Sequence, residues 1–274
     1  MVCSPVSVLI SVYANEDAEH LRLALNSVLE QTYPPNEIVL VKDGLLTSSL
    51  DSVIDEMKDY HPEMFKTVSL SENRGLGKAL QIGLEHCTDG LVARMDADDI
   101  SVSDRFEKQV AFMSENPDVD VVGGYIGEFE DDDGRIQNVR EVPNQPKTIA
   151  KKARFRSPLN HPTVMFRREA VRSVGGYQDR RLMQDYDLWV RLLVNDYKLA
   201  NIPEILVKSR AGRELYQRRG GWDYARMELQ LQRAFLEIGF ISWPIFVFNL
   251  VLRLPIRLLP NRVRAFLYES VLRE

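Results

Sequence analysis

Three carboxylates lie within four residues in the segment Asp96-Ala97-Asp98-Asp99, directly after the mostly apolar run Leu91 to Met95. Carboxylates this close repel one another unless a cation or solvent relieves the repulsion. Alternate side chains of an extended segment share one side, so Asp96 and Asp98 point the same way. Two hard oxygen ligands suit Mg²⁺ or Mn²⁺, which keep open positions for diphosphate oxygens. The segment predicts a metal site at Asp96 and Asp98, with Asp99 shaping the turn or capping the next helix.

The alternative for this segment is a solvated acidic turn that caps a helix beginning near Ser101. Its position among other polar strand ends favours the metal site. Ser11 to Glu16, Asp43 and Asn73-Arg74 each follow an apolar run that predicts a strand. In open α/β sheets ligands bind beyond the carboxyl ends of the strands, so these residues are expected to converge.

Asp43 and the segment from Asn73 to Lys78 are candidate nucleotide contacts. The Asp43 carboxylate could accept a hydrogen bond from a nucleobase or ribose, although an Asp-Gly turn is by itself the commoner explanation. Arg74 and Lys78 flank a predicted helix N-terminus, which suits a diphosphate; the alternative is a basic, glycine-containing helix start. A P-loop is excluded because the chain has Glu72 and Ala79 where that motif needs Gly and Ser or Thr.

Asp185, in the segment from Gln184 to Trp189, is the candidate general base. A carboxylate within hydrogen-bond reach can deprotonate an acceptor hydroxyl. From spacing alone, however, a helix cap or first-turn charge is favoured for Asp185, with Asp187 solvated and Leu188 and Trp189 in the core.

His161, Arg218 and Arg219 are predicted to contact the acceptor or a phosphate. Guanidinium forks suit phosphate oxygens. A single histidine such as His161 is more often structural, and a solvated basic turn before a helix is the alternative for the two arginines.

Alternating strands and helices position these residues. The βαβ rhythm up to Met95 predicts a Rossmann-like α/β fold, a mainly parallel sheet with helices on both faces. After Asp118 the rhythm changes. Strands are predicted for Val119 to Phe129, His161 to Phe166 and Leu199 to Val207, and helices for Met183 to Val194 and from Glu214 onward.

The composition is that of a globular protein, with 45% hydrophobic and 27% charged residues in 274. Cys3 and Cys87 lack a CxxC spacing, which argues against a zinc site or a disulfide framework and for a reducing cytoplasm. Met1 to Pro5 lacks the basic start of a signal peptide. No GxGxxG follows a predicted strand, and no nucleic-acid partner is predicted.

The C-terminal part has a different character, because residues 205–274 contain 12 Lys and Arg against 6 Asp and Glu. The uncharged run from Ile238 to Leu252 has 15 residues, whereas a membrane-spanning helix needs about 20. An interfacial amphipathic helix is therefore predicted, with Arg253 and Arg257 reaching anionic head groups. The alternative is a helix that packs on the preceding domain.

Several motifs in order resemble the inverting family 2 glycosyltransferases with the GT-A fold. They are Val8 to Glu16, Gln31-Thr32-Tyr33-Pro34, Val41 to Gly44, Asn73 to Ala79, Arg94 to Asp99 and Gln184 to Trp189. The resemblance covers about residues 6 to 210. The wider pattern, including Asn160 to Phe166 and Arg218 to Gly221, is similar to bacterial exopolysaccharide and capsule enzymes of the amylovoran type.

The resemblance implies a role for each matching residue. Ser11, Tyr13 and Glu16 would line the nucleotide pocket, Asp43 would meet the base, and Arg74 the base or diphosphate, with Lys78 also contacting the nucleotide. Asp96 would contact ribose and metal, Asp98 would hold Mn²⁺ or Mg²⁺ against the diphosphate, and Asp185 would be the general base. Lys42 and Gln184 depart from the Asp and Glu of many relatives, so the nucleobase contact and the surroundings of the base differ here.

The implied protein is a cytoplasmic, hexosyltransferase-type enzyme, peripheral at the inner face of the cell membrane. Its donor would be a UDP-sugar and its acceptor a glycan or a polyprenyl-diphosphate-linked sugar of a bacterial surface polysaccharide. Residues 1–210 would form the catalytic domain (1–99 for the nucleotide-sugar, 100–210 for the acceptor), and 211–274 a basic amphipathic helical tail. A non-catalytic nucleotide-sugar binding subunit is the alternative, and a nucleotidyltransferase ranks last.

Overall fold

The computed structural model describes residues 4–129, 135–210 and 220–259. Its first part alternates strands and helices, as the hydrophobic pattern predicts. The Asp17 carboxylate starts the first helix by accepting hydrogen bonds from the backbone N–H groups of Glu19 and His20 at 2.9 and 3.0 Å. The elements are β1 (Val6–Val12), α1 (Ala18–Leu29), β2 (Glu37–Lys42), α2 (Ser48–Tyr60), β3 (Phe65–Ser69), α3 (Leu76–His86) and β4 (Leu91–Met95).

The second part is a mixed arrangement that ends in two helices. Its elements are β5 (Ile100–Ser101), α4 (Arg105–Glu115), β6 (Val121–Phe129), β7 (Asn138–Arg140), α5 (Pro146–Lys152), a 3₁₀ turn (His161–Thr163), β8 (Met165–Arg167), α6 (Arg168–Ser173), α7 (Gln184–Val194), β9 (Leu199–Arg210), α8 (Trp222–Glu237) and α9 (Trp243–Leu258).

Two predicted elements were wrong. No helix begins near Ser101 in the described structure, because Ile100–Ser101 pairs with β9 and α4 begins at Arg105. The buried Gln31 side chain fixes the later start of α4, because it donates to the Val102 carbonyl at 2.7 Å and accepts from the Phe106 N–H at 3.0 Å. The strand expected from His161 starts later, after the 3₁₀ turn.

Within the described residues, all strands join one sheet in the order β3-β2-β1-β4-β8-β6-β9-β5, with β7 on β6. Strands β1 to β4 run parallel, whereas β8 is antiparallel to β4 and β6. The carboxyl ends of β1 to β4 therefore lie at one edge of the sheet, as expected.

Helices cover both faces of the parallel strands. Val8 and Ile10 of β1 pack on one face with α1, α2 and α4, and Leu9 packs on the other with α3, α6 and α7. All three side chains are fully buried. Double-sided burial explains why these strands read as nearly continuous apolar runs.

The helices α8 and α9 form a hairpin that packs on α7. Buried side chains of all three helices share a cluster, consisting of Tyr186, Val190, Leu231, Phe235, Ile241 and Phe246. The alternative that the C-terminal segment packs on the domain is thus confirmed for this face. Among the described residues, no helix is both long and apolar enough to cross a membrane.

The expectation that Arg253 and Arg257 reach head groups was wrong. Both guanidinium groups turn inward to Glu228, whose side chain is 1% exposed. A buried carboxylate needs such partners because an unpaired buried charge is strongly destabilising.

Candidate active site

The chain leaves β4 at Met95 and turns through Asp96, Asp98 and Asp99. Ligand oxygens of these three aspartates lie within 4.8 Å of one another. Asp99 is 2% exposed, and among the described residues its Oδ2 has no hydrogen-bond partner. A buried acceptor without a partner is costly, and three convergent carboxylates are a donor set that fits a hard divalent cation. The arrangement brings Asp96 and Asp98 together as predicted and adds Asp99 to them.

The raised pKa values of the aspartates in this turn also favour a bound cation. Burial raises the pKa of Asp99 well above its usual value, and the charges of Asp96 and Asp98 raise it further. Burial, followed by the charge of Asp96, also raises the pKa of Asp98. A bound cation would remove the cost of ionising these groups together.

Two buried arginines lie beneath the aspartates. Arg94, 2% exposed, places both terminal nitrogens on the Asp96 carboxylate. Arg105 is fully buried and donates to the Arg94 carbonyl at 2.8 Å and to Gln109 Oε1 at 3.0 Å. Burial, together with the charge of Arg94, lowers the pKa of Arg105 to about 9. Both arginines were missed from the sequence, although a lone charge inside the apolar β4 is a usable signal for Arg94.

Asp43 holds the loop that leads into α3. Its buried carboxylate accepts from the backbone N–H groups of Arg74 and Gly75 at 2.7 and 3.0 Å. Gly44, at φ 89°, lies so close that a β-carbon there would be 2.7 Å from the Asn73 nitrogen. The two strand ends are therefore tied together, and a contact of Asp43 with a nucleobase stays a prediction.

The start of α3 also touches the segment before Asp185. A β-carbon on Gly77 would lie 2.8 Å from the Gln178 carbonyl oxygen and 3.2 Å from Cβ of Gln184. Met183, directly before α7, has a φ of 61°, an unfavourable conformation for a residue other than glycine. The first turn of α3, which carries Lys78, thus lies beside the first turn of α7, which carries the half-buried Asp185.

Tyr177 links Asp185 to the acidic turn. Burial raises the pKa of its hydroxyl; the charge of Arg94 opposes the shift, and those of Asp185 and Asp96 add to it. Charges at Asp96 and Asp185 therefore act on one buried hydroxyl, although 88 residues separate them in the sequence. Tyr177 was missed from the sequence, where no pattern distinguishes it from an ordinary core tyrosine.

His161 is a core residue, 9% exposed, and its Nε2 lies 3.0 Å from the Tyr177 hydroxyl. Burial, and then the charge of Arg94, lowers the pKa of His161 well below its usual value. Its neighbour Thr163 accepts from the Gly124 N–H at 2.9 Å, which ties this segment to β6. A contact of His161 with the acceptor or a phosphate stays a prediction.

Asp187 is buried, so the expectation of a solvated side chain was wrong. It pairs with Arg180 at 2.9 Å and with Arg191 at 2.8 Å. Arg191 also donates to the Val174 and Gly176 carbonyls at 2.6 and 2.7 Å. The i, i+4 spacing of Asp187 and Arg191 was the available signal. Leu188 and Trp189 are in the core, as expected.

The other predicted nucleotide contacts lie around the end of β1. Ser11, Tyr13 and Glu16 are half-buried, and the Glu16 N–H donates to the Tyr13 carbonyl at 3.1 Å. Arg218 and Arg219 lie outside the described residues.

A family model described as "Glycosyl transferase family 2" matches residues 7–175. The amylovoran biosynthesis glycosyltransferase AmsE of Erwinia amylovora is 41% identical over 267 residues, covering 96% of this chain and 98% of that protein. The UDP-Gal:alpha-D-GlcNAc-diphosphoundecaprenol beta-1,3-galactosyltransferase of Escherichia coli is 38% identical, covering 97% and 96%.

Solved structures share the fold at low identity. The mannosyltransferase PcManGT of Pyrobaculum calidifontis, in complex with GDP-Man and Mn²⁺, superposes with a TM-score of 0.67 at 20% identity, covering 98% of this chain and 76% of that one. S. aureus TarS 1-349 in complex with UDP-GlcNAc gives 0.67 at 17% identity, covering 92% and 72%.

Proposed function

The chain belongs to glycosyl transferase family 2 and has the GT-A fold, and on that basis we propose an inverting, metal-dependent transfer from a UDP-sugar to a glycan or lipid-linked acceptor. The chain is similar to the Erwinia amylovora glycosyltransferase along nearly the whole length of both proteins. It is therefore a hexosyltransferase-type enzyme of polysaccharide biosynthesis. The three convergent carboxylates of Asp96, Asp98 and Asp99 at the carboxyl end of β4 carry the finer proposal.

Asp96 and Asp98 would hold Mn²⁺ or Mg²⁺, next to the buried Asp99, whose Oδ2 has no hydrogen-bond partner among the described residues. A bound divalent ion supplies charge neutralisation to a leaving diphosphate. The Mn²⁺ named for the Pyrobaculum calidifontis structure supports this assignment.

The nucleotide would lie along the carboxyl ends of β1 to β4. Ser11, Tyr13 and Glu16 would line its pocket, and Asp43, Arg74 and Lys78 would meet its base and diphosphate, with Asp96 at the ribose. A UDP-sugar is proposed because the Escherichia coli relative is named for UDP-Gal and TarS was solved with UDP-GlcNAc.

Asp185 would accept the proton of the attacking acceptor hydroxyl, since a carboxylate in hydrogen-bond reach is a competent general base. Direct displacement inverts the anomeric carbon, so an α-linked donor yields a β-glycoside. Residues 1–99 would form the donor half and 100–210 the acceptor half. Residues 211–274, although assigned to a tail, include the hairpin that packs on α7.

The acceptor is proposed to be lipid-linked, because the Escherichia coli relative is named for a diphosphoundecaprenol substrate. The outer face of α9 would contact the inner surface of the cell membrane, making the enzyme peripheral. Its exposed apolar side chains include Trp243, Phe248, Val251 and Leu252, which are 62%, 55%, 70% and 52% exposed. An exposed apolar patch of this kind is typical of membrane or protein contacts.

The test is Asp185→Asn, assayed with UDP-sugars, Mn²⁺ and a polyprenyl-diphosphate-linked acceptor. We expect turnover to be abolished while UDP binding by calorimetry is retained, because the amide keeps the shape but cannot take a proton. Asp55→Asn, on the exposed face of α2, is the matched control and should be fully active. Unchanged turnover in Asp185→Asn would refute the assigned base. A non-catalytic subunit would instead bind the donor without turnover in the unaltered protein.

A further inference from the structure

The first turn of α7 carries the proposed base and also contacts the C-terminal helices. Asp185 is half-buried in this turn, and its charge contributes to the raised pKa of the buried Tyr177 hydroxyl. The next residue, Tyr186, is 4% exposed and packs with Val190 against the α8–α9 hairpin. The residue proposed as the base therefore sits on a turn whose neighbouring side chain is buried by the C-terminal helices.

The contact between Tyr186 and the hairpin is specific. The rings of Tyr186 and Phe235 meet edge to face, with centroids 4.9 Å apart and planes at 73°. The Phe240 ring also meets the Phe235 ring edge to face, with centroids 6.0 Å apart. The Tyr186 hydroxyl donates to the Ala153 carbonyl at 2.6 Å, so both ends of the side chain are held. A buried ring with a satisfied hydroxyl has little freedom to move.

The hairpin is itself braced from inside. Asn249 of α9 donates to Gln232 of α8 at 2.9 Å and to the Arg154 carbonyl at 2.9 Å. Arg253 pairs with the buried Glu228. These contacts fix α8 to α9 and tie the hairpin to the end of α5, next to the carbonyl that holds Tyr186.

The backbone just before α7 needs such support. Met183 has a positive φ, and its side chain packs on the hairpin cluster. A strained backbone of this kind persists only where the surroundings determine it. The hairpin thus contacts the residues on both sides of the Gln184-Asp185 pair.

We propose that the α8–α9 hairpin is a positioning element of the active site, in which Phe235 acts through Tyr186 to hold the first turn of α7 and so the Asp185 carboxylate. The inference rests on the proposed function, because the role of Asp185 is itself proposed. It assigns Phe235 and Tyr186 as positioning residues that need not touch a substrate. Misplacing a reacting group by about 1 Å can cost about 10²-fold in rate, so a small shift of this turn is enough.

The test compares Phe235→Ala, Phe235→Leu and Tyr186→Phe, each in the full chain. Tyr186→Phe keeps the ring and is the variant that should fold if Phe235→Ala does not. Met57→Ala, on α2 in the opposite core cluster, is the control for a general loss of packing. For each variant kcat, the KM for the UDP-sugar, UDP binding with Mn²⁺ and the melting temperature are measured well below that temperature.

We expect kcat of Phe235→Ala to fall about tenfold or more, while the KM for the donor and UDP affinity stay within about twofold. Phe235→Leu should recover part of kcat, and Tyr186→Phe should lower kcat more than Met57→Ala does. If Phe235→Ala and Tyr186→Phe, once folded, keep kcat within twofold of the parent, or lose only donor affinity, the positioning role is wrong.

The Asp185→Asn assay separates the two failures. Should Asp185→Asn lose activity while the Phe235 and Tyr186 variants behave like Met57→Ala, only the positioning role fails. Should Asp185→Asn remain active, the proposed base fails, whatever the hairpin variants do.

Discussion

Arg94 and Asp96 form a two-pronged ion pair across a single intervening residue, with side chains 2% and 32% exposed. The Arg94 guanidinium, at the end of β4, thus places a positive charge next to the acidic turn. In the structure as described, this pair partly offsets the repulsion that Asp98 and Asp99 add.

Replacing Arg94 by glutamine should make the protein depend more on metal for stability. We expect the free energy of unfolding without metal to fall by about 2–3 kcal/mol, less than for a fully buried pair because Asp96 is partly exposed. The rise in melting temperature on adding Mn²⁺ and UDP should exceed that of the parent, since the cation then relieves more repulsion. Thermal unfolding with and without Mn²⁺ measures both. Arg172→Gln, at a surface pair, is the control, and an equal or smaller Mn²⁺ effect in Arg94→Gln would contradict the idea.

Gly77→Ala should disturb the loop that leads to Asp185. The new β-carbon would lie 2.8 Å from the Gln178 carbonyl oxygen, so either α3 or this loop must move. We expect a loss of stability of about 1–3 kcal/mol and a fall in kcat of about tenfold. Gly90→Ala, which meets open space, should change stability by less than about 0.5 kcal/mol. Denaturant unfolding and steady-state kinetics measure both effects. If Gly77→Ala and Gly90→Ala are indistinguishable, the close approach of Gly77 to Gln178 is unimportant.

Arg253→Met should destabilise the hairpin. The fully buried Glu228 would keep its longer contact with Arg257, at 3.3 Å, and a long hydrogen bond from Gln232, at 3.4 Å. We expect a loss of about 3 kcal/mol in urea unfolding, and substantial recovery when Glu228→Met is added, because the buried charge is then gone. If the double variant is no more stable than the single one, the ion pair does not explain the loss. Deleting the chain after Gly239 would remove both arginines that pair with Glu228, so that deletion would test folding rather than membrane contact.

The membrane contact is better tested by a point substitution on the outer face of α9. Val251 is 70% exposed, so Val251→Glu should leave the melting temperature nearly unchanged. Binding to phosphatidylglycerol vesicles, measured by sedimentation, should fall severalfold, because a charge opposes burial at the interface. Leu23→Glu, at an exposed position of α1, should bind like the parent. If the two variants sediment equally with the vesicles, the outer face of α9 does not contact the membrane.

The sequence predicted those features of the site that depend on local order. The βαβ alternation brings the carboxyl ends of β1 to β4 to one edge, and so Asp43, Arg74 and Asp96 to one region of the molecule. It did not predict that Asp43 would be tied to the backbone of residues 74 and 75, or that Asp187 would be buried. Those outcomes depend on which loops meet.

The sequence by itself determined the fold class and the acidic turn, because hydrophobic periodicity and the spacing of like charges are local properties that a chain carries into any surroundings. Only the tertiary structure decided the partners of each charge. Arg253 could have faced lipid or protein, and it faces Glu228 because an unpaired buried carboxylate costs more than turning the arginine inward. Likewise the turn that carries Asp185 lies beside the start of α3 only because the packing of α7 against α3 and the hairpin brings distant segments together.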